Sequence, residues 1–579
     1  MNKENLYTSS FCPSQTGISI LERGHILAEG ETPELMINRV VNDIAQVERK
    51  FLTSDEEIRI FAYQLGCLMD EKKIVFSTPI MTNAFREEKK PLSACTVPKI
   101  DLRKDLDSVK RIIDSYHQDA MGTGFNLSDT DDPVASLLYL NEVAVNGSKS
   151  GKEDRPVGNI AICRVDHPRI LEFVSSKKNN PNIEWKFNIS VDTPKEFWEA
   201  VENDNDWILS DGQTISAKEL LRYISESVYD TADPGIIFLD RLNIDNPTPG
   251  VGLYTATAPC AEVGLVPGET CQFGYININA FIKEDGSIDY QELSRVSEIM
   301  VRALDNVVEL SIERYSVEES AEIMLAKRKI GVGICGLADM LINLGIPYSS
   351  NEARELTRDI ISFVNYRTKL ASVELAKTRG SFGAMMMNEG CRYNLYPGFI
   401  EQKYGELETR TVSSSQWIEL GNIIRESKLL RNCSTTALPP TGRSGLVIDA
   451  STGIEPLFSL SNGDQLHHSV RTYFEKEGLL DSDSLSMVKV RGSCQETNLP
   501  EEVKDCLKTA VEISSFDHLE MISSIQPCID ESVSKTINLP FYSTPSDIED
   551  IYLRAYKSGL KGITVYRDGT IKSQPKKLS

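Results

Sequence analysis

Short apolar runs at 159–163, 235–239, 330–334 and 446–450 alternate with long stretches of helical periodicity. Runs of that length bounded by turn residues read as buried strands. The helical stretches are 32–70, 104–118, 133–145, 195–204, 216–230, 290–326, 352–378 and 501–515. In the first of them Thr32 is a good cap with Pro33 at the opening position, and Ile37, Val40, Val41, Ile44 and Val47 recur at helical spacing. Strands joined through helices predict an α/β fold with a mainly parallel sheet. At 579 residues the chain exceeds the ~100–200 residues of an ordinary domain, and no repeat or low-complexity linker divides it. The pattern divides into a mostly helical region over 1–90, an α/β body over 91–570 and a flexible basic tail over 571–579.

Charge narrows the partners. Lys plus Arg number 62 against 85 Asp plus Glu, a net charge of −23. Such a surface repels nucleic acid and anionic lipid, so neither is expected as a partner, while a local site can still take a small anion. No segment approaches the ~18 consecutive apolar residues of a membrane span, and the N-terminus has no apolar core of a secretory signal. The 12 cysteines form no C-x-x-C and no zinc-like spacing. A cytoplasmic, reducing location with free thiols is the expectation, and no metal site is read.

Four places offer chemistry. Thr257-Ala258-Pro259-Cys260-Ala261-Glu262 is followed by Glu269-Thr270-Cys271. It supplies a thiol for radical or nucleophilic work, a carboxylate base on the same loop, and a second thiol able to enter a disulfide. The same spacing also fits two buried structural cysteines beside a solvated glutamate. Pro440-Thr441-Gly442-Arg443-Ser444-Gly445 and Ser451-Thr452-Gly453 are small-residue turns flanking the expected strand at 446–450. Their N–H groups and hydroxyls suit a phosphate, although the Gly-Lys-Ser/Thr ending of a phosphate loop is absent. Gly122-Thr123-Gly124 reads as a tight turn. His167, before Pro168, reads as a structural hydrogen-bonding residue.

In order, Ser77-Thr78-Pro79, Ser93-Ala94-Cys95, Gly122-Thr123-Gly124-Phe125, Arg164-Val165-Asp166-His167-Pro168, Phe187-Asn188-Ile189-Ser190, the Cys260 and Cys271 motifs, Arg328-Lys329-Ile330-Gly331, Pro440-Thr441-Gly442, Gly453-Ile454-Glu455-Pro456 and Lys561-Gly562-Ile563-Thr564-Val565-Tyr566-Arg567-Asp568 closely resemble the catalytic chain of the adenosylcobalamin-dependent, class II ribonucleotide reductases. The resemblance runs from about residue 20 to about residue 570. It implies a ten-stranded α/β barrel, two five-stranded parallel halves set antiparallel to each other, with a finger loop through the centre. It implies that Cys260 carries a thiyl radical, that Glu262 takes the 3′-hydroxyl proton, and that Cys95 and Cys271 supply two reducing equivalents. Ser77, Thr78, Asn188, Thr441, Arg443 and Ser444 fall where the family binds its ribonucleotide substrate. Adenosylcobalamin is the implied cofactor, and a thioredoxin-like protein or small dithiol the implied reductant. A homodimer through the 133–145 helix is implied, with a deoxynucleotide effector near the loops 146–158 and 177–186. No N-terminal ATP-binding regulatory module is expected.

Three departures stand against that pattern. Ala258 replaces an asparagine that hydrogen-bonds the ribose, and Ala261 a glycine. Arg443 and Gly445 replace a threonine and a serine of the phosphate loop. The last cysteine is Cys528, so re-reduction of the active site by a C-terminal cysteine pair is not expected. A sister cobalamin-dependent enzyme acting on a modified nucleotide or related sugar, and a non-catalytic homologue, are the alternative readings.

Overall fold

The computed structural model describes residues 5–103, 105–149, 157–387, 390–480 and 483–570. The tail at 571–579, and 150–156 of the first loop expected to take an effector, lie outside them. The expected α/β alternation is present. Five parallel strands, Cys95–Thr96, Gly122–Asn126, Asn159–Arg164, Phe187–Asp192 and Gly235–Ile237, pair in chain order. Helices Leu106–Gln118, Pro133–Lys149, Lys195–Glu202 and Ala217–Thr231 lie on the connections between them. Most residues of these strands are buried, as a sheet covered by helices requires.

Both edges of this five-stranded unit are antiparallel seams. At one, Thr270–Cys271 pairs with Cys95–Thr96. At the other, Gly562–Arg567 pairs with Gly235–Ile237 and runs parallel to Thr536–Leu539. A separate ladder places Phe273–Asn277 between an antiparallel Ile74–Phe76 and a parallel Gly331–Cys335. Two lone parallel bridges, Val332 to Thr436 and Leu438 to Val533, reach onward from it.

Between the seams lies a hairpin, Ala256–Thr257 against Gly264–Leu265. Strand Gly122–Asn126 passes so close that a Cβ on Gly124 would sit 2.1 Å from the Thr257 carbonyl oxygen. This corrects the reading of Gly122-Thr123-Gly124 as a turn: the glycines admit the hairpin against a strand.

Other expectations need correction. The stretch at 446–450 is not a strand; helix Gly442–Val447 runs into it. A short apolar run fits either state, and Thr441, at φ +46°, starts a helical turn here. The 32–70 stretch breaks into Pro33–Gln46, a 3₁₀ turn at Val47–Phe51, and Asp55–Asp70. Leu52 is left-handed at φ +57°, and Ser54 and Glu57 form a capping box that restarts the helix. Likewise 290–326 is two helices, Tyr290–Ile312 and Glu318–Lys327. The 501–515 helix stops at Cys506, because Thr509 and Glu512 make a turn before Ser514 caps the next helix. Strand Gly235–Ile237 ends early as Leu239 N–H turns to Asp192 Oδ1 and opens helix Leu239–Ile244.

One hydrophobic core extends from Phe11 to Val565, so the N-terminal helices share it with the sheets. A smaller core, with Leu457, Val470, Phe474 and Leu507, joins through Ala338 and Ile342. Among the described residues, no helix is long and apolar enough to cross a membrane.

Candidate active site

The hairpin holds itself and is then held from both sides. Ala258 N–H donates to Val263 O at 3.0 Å and Ala261 N–H to Ala258 O at 2.9 Å. Ala261 takes φ +60°, a left-handed conformation in which alanine is strained and glycine is not. Below the tip, Lys329 is buried and donates to Gly264 O at 2.7 Å. It pairs with Glu269 at 3.2 Å and Glu531 at 3.1 Å, and Lys327 meets Glu269 at 2.8 Å. Glu269 also accepts the Val266 N–H at 3.0 Å. Buried ions are tolerable only when paired and hydrogen-bonded in this way. Glu269 and Lys329, which lie in motifs of the resemblance, are therefore anchors of the hairpin base. Lys327 and Glu531 are anchors that carry no sequence signal.

At the tip, Cys260 is exposed. Surrounding protein nevertheless raises its thiol well above the ordinary range, with Glu262 and Cys95 adding to the effect. A side chain that solvent reaches and protein still desolvates lines a recess rather than the outer surface. Asn188 Nδ2 donates to Pro259 O at 3.4 Å, beside the cysteine.

Glu262 is buried, against the reading of a solvated glutamate. Its carbonyl accepts the Ser532 N–H at 3.0 Å, while carboxylate Oε2 has no hydrogen-bond partner. Burial pushes the carboxyl up to about 7, offset only in part by the backbone N–H groups of Glu262 and Cys260.

Cys95 and Cys271 stand directly opposite each other across the antiparallel seam. Opposed residues there lie about 4.5–5.5 Å apart at Cα, inside the ~4.4–6.8 Å that a disulfide spans. Both thiols are free. Burial raises the Cys271 thiol well above its ordinary value, and the neighbouring Cys95 adds to this. A Cβ on Gly122 would lie 3.2 Å from Cys95 Sγ and 3.2 Å from the Pro259 ring, so that glycine brings the pair and the tip together. Tyr275 is a wall of the same site that no motif marked. Its phenol is raised by burial and by Glu262, Cys271 and Cys95.

The remaining expected residues cluster elsewhere on the ladder. Ser77 follows strand Ile74–Phe76, buried, with its hydroxyl unpartnered, and Thr78 opens the next helix. Helix Gly442–Val447 packs against that strand. Thr441 Oγ1 accepts the Gly453 N–H at 2.7 Å, and Ser444 is buried. Arg443 is exposed and has no ion pair among the described residues. The nearby carboxylates are engaged: Asp449 with Lys72 at 2.6 Å and Glu455 with Lys535 at 2.5 Å. His167 is structural, as read, between Thr130 O at 2.9 Å and the Arg169 N–H at 3.0 Å.

Residues 93–566 match the family described as ribonucleotide reductase, barrel domain. A vitamin B12-dependent ribonucleoside-diphosphate reductase of Thermoplasma acidophilum is 32% identical over 86% of this chain and 64% of its own length. One of Mycobacterium tuberculosis is 33% identical over 76% of this chain and 60% of its own. The chain thus spans about three fifths of the length of these curated relatives. In structure it resembles the class Id ribonucleotide reductase alpha subunit of Actinobacillus ureae, with a TM-score of 0.75, 18% identity, and coverage of 97% of this chain and 98% of that one. The segment that carries Cys95, the hairpin and Cys271 is the segment the family match covers, and the chain belongs to the ribonucleotide reductase family.

Proposed function

We propose that the chain reduces ribonucleotides to 2′-deoxyribonucleotides by a cobalamin-dependent radical route. The observation that carries this is the buried Glu262, with an unpartnered oxygen and a pKa near neutrality, on the same tip as Cys260 and beside the opposed pair Cys95 and Cys271. A thiol that stays protonated, as Cys260 does, is a hydrogen-atom donor rather than a nucleophile. This donor set fits adenosylcobalamin, which when bound supplies an organic radical able to take a hydrogen atom; Cys260 Sγ would face it.

The protein's own steps balance. Cys260 as a thiyl removes the 3′-hydrogen of the ribose, and Glu262 takes the 3′-hydroxyl proton. The 2′-hydroxyl leaves as water. Cys95 and Cys271 give up two electrons and two protons and close a disulfide; one proton departs with the 2′-hydroxyl in the water, the remaining hydrogen enters at C2′, and Glu262 returns its proton to the 3′-oxygen. Cys260 then returns its hydrogen to C3′. Ser77, Thr78, Asn188, Thr441, Arg443 and Ser444 bind the substrate, with Arg443 on a phosphate. The architecture belongs to the same proposal: the bridges from Val332 to Thr436 and from Leu438 to Val533 support closure of the ladders into a ten-stranded barrel around the hairpin.

The direct test is incubation with adenosylcobalamin, dithiol and each ribonucleoside di- and triphosphate. With dithiol withheld, one round of product formation is expected to leave Cys95 and Cys271 joined, as read by mass mapping. Two free thiols after product has formed would contradict their role. Arg443→Thr is expected to raise KM roughly tenfold with little change in kcat, since a charged contact to phosphate is worth ~1.5–3 kcal/mol and a hydroxyl contact less. An unchanged KM for every nucleotide removes Arg443 from the binding site.

One observation favours a second reading. Ala258 is buried, its N–H is used by Val263, and its side chain offers the ribose nothing. Cleavage of adenosylcobalamin without reduction of any ribonucleotide would point to a sister enzyme with a different sugar substrate.

A further inference from the structure

A second cluster, away from the hairpin, lies where the smaller core meets the main one. Asp339 sits in the first turn of helix Leu337–Leu344 and is fully buried. Its Oδ2 accepts the Ser451 N–H at 2.6 Å, and its own N–H donates to Ser451 Oγ at 3.2 Å. Its Oδ1 has no hydrogen-bond partner. That oxygen faces His467 Nδ1 and His468 Nε2, each 3.5 Å away. One ligand atom from each of the three residues lies within 4.8 Å of the others.

The distances discriminate between two explanations. A charge-assisted hydrogen bond from a ring nitrogen to a carboxylate would be about 2.7–2.9 Å. Two ligands bound at about 2.0–2.1 Å to one tetrahedral ion are separated by roughly 3.3–3.4 Å. The observed separations sit near the second value. A buried carboxylate oxygen aimed at two nitrogens without touching either is expensive alone and favourable around a cation. Two imidazoles and one carboxylate are a donor set for zinc-like ions rather than for magnesium or calcium.

We propose that Asp339 Oδ1, His467 and His468 bind one divalent transition ion of the zinc class, with a fourth position open on the exposed His468 side. The ion would join helix Leu337–Leu344 of the main core to helix His468–Lys476 of the smaller one. Ser451 fixes the carboxylate and carries the connection onward, since Gly453 two residues later holds Thr441. One contact competes: Ser469 Oγ lies 2.9 Å from His467 Nδ1, and a bound ion must displace it.

The test uses the full chain, stripped with a chelator and titrated with Co²⁺ and then Zn²⁺. The expected result is one ion per chain, with the visible absorption of a low-coordinate Co²⁺ site that one equivalent of Zn²⁺ abolishes. Thermal unfolding should shift upward with the ion. His468→Ala changes an exposed residue and should fold; it is expected to lower affinity by at least ~10-fold. Asp339→Asn keeps the shape and should do the same. Ser469→Ala should raise affinity, because it removes the competing contact. Absence of stoichiometric binding at micromolar Zn²⁺, binding of Fe²⁺ but not Zn²⁺, or unchanged affinity in His468→Ala would each overturn the assignment.

Discussion

Cys260→Ala is expected to abolish deoxynucleotide formation while the protein folds, melts and binds nucleotide as before. The side chain is exposed, so its truncation falls among substitutions that alter stability by about 0.5 kcal/mol or less. The hairpin does not depend on it, because its bonds run through Ala258, Ala261 and Val263 and its base through Lys329 and Glu269. The chemistry has no substitute. In the proposed reaction Cys95 and Cys271, across the seam, serve as the reducing pair. Removing one member of a unit that acts together costs on the order of 10⁴–10⁶ in rate. The measurement is product formation with labelled ribonucleotide, beside a denaturation curve. Deoxynucleotide from the alanine variant at even a hundredth of the wild-type rate would refute the assignment.

Glu262→Gln is expected to slow turnover by ~10²–10⁴-fold, the range for loss of a general base, and at the same time to make the protein more stable. A base must be ionised to act, so wild-type kcat/KM should rise with pH through a midpoint near 7, the value that burial gives this carboxyl. The variant should lose that limb. The stability effect has the opposite sign. Between the ordinary 4.5 and about 7 the folded protein holds a proton that the unfolded chain has released. Stability from this group is therefore full below about 4.5 and declines as pH rises through 7. At ~1.4 kcal/mol per pH unit the loss is roughly 3 kcal/mol. Glutamine carries no charge to bury and escapes it. Denaturation at pH 5 and pH 8 tests the sign. A variant less stable than wild type at pH 8 would show that the ionised carboxylate has partners that balance its burial.

Much of the site was legible, for reasons that differ from residue to residue. Cys260, Glu262 and Cys271 lie within twelve residues of one another, so spacing exposed them as a possible thiol and base. Only the resemblance brought in Cys95, which reaches Cys271 through sheet register and not through proximity in the chain. The α/β alternation was readable because buried strands are apolar runs whatever their neighbours. At 446–450 the same rule failed, since a short apolar run does not distinguish strand from helix. Gly124 looked like a turn because the atom it makes room for, the Thr257 carbonyl, belongs to a distant segment. Asp339, His467 and His468 gave no signal at all: adjacent histidines have no ligand spacing, and their carboxylate comes from another helix.

The seam that opposes Cys95 to Cys271 has a thermodynamic consequence. A bond between them would close a loop of 176 residues, and chain entropy assigns such a closure about 5 kcal/mol of stabilisation against unfolding. The oxidised form, which under the proposed mechanism could not turn over, would then be the more heat-resistant one, a difference that melting of the two redox states reads directly. By linkage, the fold favours the disulfide over the dithiol by that amount relative to the same cysteines in an unfolded chain. At ~30 mV for each 1.4 kcal/mol, the reduction potential of the pair falls by on the order of 100 mV. Folding thereby sets how strong a reductant must be to reopen the pair.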